Sequence, residues 1–88
     1  MREFTTDMID TIVKAKDALP KTGFEWDKYE MPCCIKQKGR WVKFTNEIPR
    51  FPGKICTYRN GIQYIYVSAF DCEYRYKITP SVKQLLGL

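Results

Sequence analysis

A chain of 88 residues with 44% apolar and 15% aromatic side chains has the size of one domain, 1–88, able to bury roughly 60 to 65% of the surface its unfolded form exposes. That composition excludes a disordered chain, and the longest nearly uncharged apolar run, within residues 62 to 70, is far short of the roughly 20 residues that span a bilayer. The net charge of +5 is uneven: residues 1 to 30 carry five basic and seven acidic side chains, whereas residues 31 to 88 carry ten basic and three acidic ones, and so +7. Positive potential concentrated in the second segment favours an anionic partner.

The N-terminus, "MREFTTDMIDTIVKAK", is acidic and amphipathic where a secretion signal is basic and then continuously apolar, so the expected location is the cytoplasm, or a host cytoplasm for a phage-encoded product. Residues 6 to 19 place Met8, Ile9, Ile12, Val13, Ala15 and Leu19 at helical spacing. Asp7 and Asp10 sit beside the positive end of that helix's dipole, and Thr5 or Thr6 is its N-cap. Pro20 ends it, because proline lacks the N–H that would continue the ladder. In the connection that follows, Phe24, Trp26 and Tyr29 are expected to pack, since an aromatic ring buries a large apolar area.

Beyond residue 32 the period changes from 3.6 to 2. A hairpin over 33–44 turns at Lys38-Gly39, with Gln37 opposite Arg40 and Cys33 opposite Phe44. Cys33, Ile35, Val42 and Phe44 then form its core face, and Cys34, Lys36, Trp41 and Lys43 the other. Residues 45 to 53 hold two prolines and a glycine and read as a loop. A three-stranded meander over 54–79 follows. Asn60-Gly61 marks a two-residue turn that sets Cys56 opposite Ile65 and Ile55 opposite Tyr66.

The second turn of the meander, near Asp71 and Cys72, decides the fate of the tyrosines. With an even-numbered loop, Tyr74, Tyr76 and Ile78 share an apolar face with Ile65, Val67, Cys56 and Tyr58; an odd one sends them to the opposite face. The even register separates aliphatic from charged residues more cleanly and is the expected one. The opposite face then collects Ile55, Arg59, Tyr64, Tyr66, Phe70, Arg75 and Lys77. "TPSVKQL" closes the chain with a short helix over 80–86, capped by Thr79 and opened by Pro80. The fold expected from these elements is α+β. An N-terminal amphipathic helix packs on an antiparallel sheet of about five short strands, curled toward a barrel, with a short C-terminal helix.

Catalytic signatures are missing: there is no histidine, no GxSxG, no P-loop and no GxGxxG, so the chain reads as a non-enzyme. The four cysteines lack the CxxC spacing of a zinc knuckle, two of them are adjacent, and reduced thiols are expected. No metal or other cofactor is implied. Binding is better supported, because single-stranded nucleic acid is held by a basic surface carrying aromatic rings on which bases stack. The residues that supply this pattern are Lys36, Trp41, Lys43, Arg59, Tyr64, Tyr66, Arg75 and Lys77. Single-stranded nucleic acid is therefore the favoured partner, with an acidic protein surface second and no membrane. The second reading is a phage- or mobile-element-type inhibitor or adaptor that binds a host protein, since tyrosine, tryptophan and arginine also dominate protein interfaces. A homodimer joined through edge strands or tyrosines is a third.

Overall fold

In the chain's computed structural model, residues 2–20 and 27–88 are described. Strand β1, Arg2–Phe4, precedes helix α1, Thr6–Asp17. The Thr5 hydroxyl accepts from the Met8 N–H, and Ala18 caps the other end, so the helix stops two residues before the expected Leu19. Ile9, Ile12 and Lys16 form its buried stripe. Val13, expected in that stripe, is exposed on its flank. Lys16 is buried because its ammonium ion-pairs with Glu30. Phe24 and Trp26 lie outside the described residues, and Tyr29 is half-buried against the core.

Strands β2, Met31–Gln37, and β3, Arg40–Glu47, form the first hairpin, longer at both ends than expected. Lys38 and Gly39 take φ of 51° and 76°, the paired left-handed geometry of a type I′ turn. The expected register holds from Gln37–Arg40 to Cys34–Lys43. A β-bulge then makes Thr45, not Phe44, the partner of Cys33. Phe44 and Val42, expected in the core, are exposed: β3 is the outermost strand of the sheet, and neither helix reaches over them.

Strands β4, Gly53–Thr57, β5, Gln63–Ala69, and β6, Cys72–Lys77, form the meander, and helix α2, Pro80–Leu86, ends it. The β4–β5 turn departs from expectation. Tyr58 N–H donates to the Ile62 carbonyl, which leaves three residues, 59 to 61, in the loop. Only Gly61 is left-handed, at φ 83°, while the Asn60 side chain accepts from the Ile62 N–H and stays out of that region. The register moves by one residue, to Ile55–Ile65 and Cys56–Tyr64. A one-residue slip exchanges the faces of β4, and burial explains its direction: it puts Ile55, 2% exposed, into the core and turns Cys56 and Tyr58 outward.

The β5–β6 loop has two residues, Phe70 and Asp71, both left-handed at φ 54° and 58°. The even register follows, with Val67 opposite Tyr74 and Ile65 opposite Tyr76. Strand β6 also pairs with β2, Cys33 opposite Tyr76, and β1 with β4, Phe4 opposite Gly53. The result is an open antiparallel sheet of six strands, in the order β1-β4-β5-β6-β2-β3, where about five strands curled toward a barrel were expected. The α+β class stands.

Both helices lie on one face of this sheet. Ile9 and Ile12 of α1 and Val82 of α2 join Phe4, Met31, Cys33, Ile55, Ile65, Val67, Tyr76 and Ile78 in a single core. Within it Tyr76 donates to Glu47 Oε1 at 3.3 Å, and burial pushes the Cys33 thiol up to about 11. A raised pKa keeps Cys33 neutral until the pH approaches that value, leaving about one thiolate per thousand at pH 8. In a time course of iodoacetamide labelling read by peptide mass, Cys33 is expected to react last of the four thiols; labelling as fast as at Cys34 would contradict its burial. The same shift gives a stability contribution that is complete below the thiol's unfolded value and is lost as the pH rises from about 9 to 11.

Candidate nucleic-acid interface

Side chains alternate across each strand, so the pairings fix which residues share the face turned away from the helices. Tyr64 stands opposite Lys77, Tyr66 opposite Arg75 and Ser68 opposite Glu73 on β5 and β6. Cys34 pairs with Arg75 and Lys43, and Lys36 with Trp41, on β2 and β3. Seven of the eight residues singled out in the sequence, Lys36, Trp41, Lys43, Tyr64, Tyr66, Arg75 and Lys77, therefore lie on one sheet face drawn from four strands. Arg59 does not: it is exposed in the three-residue turn, at the end of the β4–β5 ladder. Phe70, expected on this face, occupies the β5–β6 turn and packs against Phe51 toward the helix side.

The shifted β4 register adds residues that sequence reasoning placed elsewhere. Lys54 stands opposite Tyr66 and Cys56 opposite Tyr64, and Tyr58 follows at the next outward position. The Tyr58 hydroxyl is hydrogen-bonded to that of Tyr66, and this bond raises the pKa of the Tyr58 phenol. Only the correct turn length could have found Tyr58, because Asn-Gly in a two-residue loop sends it to the other face.

Arg75 is the centre of the arrangement. Its guanidinium lies 4.7 Å from the ring centroid of Trp41 and 4.8 Å from that of Tyr64. The rings continue edge to face, Trp41 to Tyr66 at 5.9 Å and Tyr58 to Tyr64 at 5.7 Å. Lys36 adds a second cation 5.8 Å from the Trp41 ring. Such contacts are worth about 0.5 to 1 kcal/mol each at exposed positions and hold a guanidinium in one orientation. Arg75 Nε is buried with no hydrogen-bond partner, so the terminal nitrogens are the donors that can meet an external acceptor.

Charge follows the same geometry. The face carries Lys36, Lys43, Lys54, Arg75 and Lys77 against Glu3 and Glu73, a surplus of three positive charges. Glu73 reaches Lys36 at 3.7 Å with both side chains exposed, an ion pair of little strength that leaves Lys36 available. Cations on four strands around a row of half-buried rings form a surface suited to flat aromatic groups linked by anions. No group of histidine, cysteine or carboxylate residues with metal-binding geometry occurs among the described residues. No described helix is long and apolar enough to cross a membrane. Comparison with protein-family models, with curated proteins and with solved structures finds no match to this chain.

Proposed function

We propose that this protein is a non-enzymatic binder of single-stranded nucleic acid, acting through the outer face of its sheet. The observation that carries this reading is the stack of Trp41, Arg75 and Tyr64, flanked by four lysines on a face that neither helix covers. Bases stack on aromatic rings or on guanidinium planes, each for about 1 to 3 kcal/mol, and lysines along the rows meet the phosphates between them. Duplexes hide their bases, so the ring-bearing face gains less from them.

The test is a titration of a fluorescent oligothymidylate at several salt concentrations. If four or five cations meet phosphate, log Kd should rise with log salt at a slope of about 3, because each contact on a single strand contributes about 0.7. A duplex of the same length should bind more weakly. Failure to bind at low salt would end the nucleic-acid reading and leave the inhibitor or adaptor role, with a host protein on the same face, as its successor.

A further inference from the structure

Glu73 stands in the middle of the basic face, where a surface that binds phosphates gains nothing from an anion. It lies on β6 two residues before Arg75, so both side chains point outward from one strand. Lys36 of β2 reaches it at 3.7 Å, but the two side chains stay 42% and 59% exposed, and so exposed a pair contributes too little to explain the placement. The carboxylate is open to a ligand.

Trp41 ties Glu73 to Arg75. Its ring centroid is 4.7 Å from the Arg75 guanidinium and 5.8 Å from the Lys36 ammonium that meets Glu73. A fork of donors and a carboxylate therefore border the same half-buried indole. No hydrogen bond or ion pair engages the Arg75 guanidinium among the described residues, and its Nε is already out of water. A donor group partly stripped of water penalises a ligand that brings no matching acceptors, which is how sites discriminate steeply between similar molecules.

The bases differ in how they answer this pair. Guanine carries two acceptors, O6 and N7, on one edge and two donors, N1–H and the 2-amino group, on the adjoining edge. Adenine follows its N7 with a donor, the thymine carbonyls flank the donor N3–H, and cytosine offers a single amino group to a carboxylate that can take two donors. A phosphate satisfies Arg75 but is repelled by Glu73. Lys36, Lys43, Lys54 and Lys77 surround this centre from four strands, where they suit the phosphates on either side of a base.

We propose that the outer face holds a guanine at this point: Arg75 donates to O6 and N7, Glu73 accepts from N1–H and the 2-amino group, and the base lies against Trp41. This base preference deepens the single-stranded nucleic-acid reading above and rests on it. Engagement of Glu73 by the base also frees Lys36 for a neighbouring phosphate.

The test uses fluorescent thymidylate strands of about 11 nucleotides with one central substitution, a single guanine being too few for strands to associate with one another. Guanine should tighten binding at least about fivefold over the all-thymine strand, the lower end of what one bidentate base contact contributes, whereas adenine and cytosine should not. 7-Deazaguanine, which lacks the N7 acceptor, and hypoxanthine, which lacks the 2-amino group, should each lose most of that gain. Glu73→Gln should melt with the parent and lose most of the guanine preference. It should also bind the all-thymine strand about twofold more tightly, because a carboxylate that repels phosphate is gone. Equal binding of the guanine and thymine strands, a preference for adenine or cytosine, or a guanine preference that survives either 7-deazaguanine or Glu73→Gln would overturn the guanine site while salt-dependent oligothymidylate binding stands. No binding of any strand at low salt would overturn the nucleic-acid reading and the guanine site with it.

Discussion

Gly53→Ala is expected to lower the thermal midpoint by roughly 12 to 24 °C, through a loss of about 3 kcal/mol or more. Gly53 is the first residue of β4 and lies between two strands, opposite Phe4 of β1 and one position before Lys54, the partner of Tyr66. A Cβ at this position would overlap the Tyr66 carbonyl oxygen and lie 3.0 Å from Val67 Cγ2. The obstructing atom is backbone, so no rotamer change relieves it and the β4–β5 ladder itself must open. Calorimetry or a melt followed by circular dichroism measures the effect. Gly39→Ala and Gly61→Ala are the controls, since a Cβ at either meets nothing within 4 Å and costs only the strain of left-handed φ, about 1 kcal/mol. A loss at Gly53 no larger than theirs would show that the strands are not so closely apposed.

The second large effect is expected at Arg75 and is one of binding. Arg75→Ala should weaken oligothymidylate binding by roughly ten- to a hundredfold, the equivalent of about 1.5 to 3 kcal/mol for a charge-assisted contact. It also removes the cation that separates Trp41 from Tyr64. Arg75→Lys separates charge from shape. An ammonium keeps the attraction to phosphate but loses the planar stack and the fork of donors, so it should recover only a small part of the affinity. Full recovery by lysine would mean that Arg75 contributes charge alone, and that the stack between the rings is a packing feature of the sheet. The melting temperature of both variants should fall by a few degrees only, because Arg75 is half-buried on a face without a core.

Most of the fold was legible where a local signal and the burial pattern agree. Lys38-Gly39 forms the two-residue turn its sequence announces, and the alternation of Ile65, Val67, Tyr74 and Tyr76 settles the β5–β6 register. Where they disagree, burial prevails. Asn60-Gly61 is a strong signal for a two-residue turn, yet that register would expose Ile55, and one extra loop residue is a small cost beside the burial of an isoleucine. Within the meander the paired left-handed residues occur instead at Phe70-Asp71, where the phenylalanine carries no turn signal. Strand β1 was illegible because three residues, Arg-Glu-Phe, are too few to show a period; its existence depends on β4 offering an edge some fifty positions away. The candidate site was legible as a set of residue types, and seven of its eight members share a face because parity along four strands is robust to everything but a bulge or a slip. Arg59 and Tyr58 exchanged roles through the slip in β4.

The pairing of β2 with β6 joins two parts of the chain that are each local in sequence, the β2–β3 hairpin and the β4–β5–β6 meander. Each part can form quickly by closing short loops; bringing Cys33 to Tyr76 requires closure across some forty residues and is the slower event. Trp41 and Lys36 belong to the first part, and Arg75 and Tyr64 to the second, so the stack straddles the junction between them. Neither half carries the site alone. A strand of nucleic acid lying across that junction would act as a clamp on the one long-range seam in the middle of the sheet, and occupancy and completion of the fold would reinforce each other.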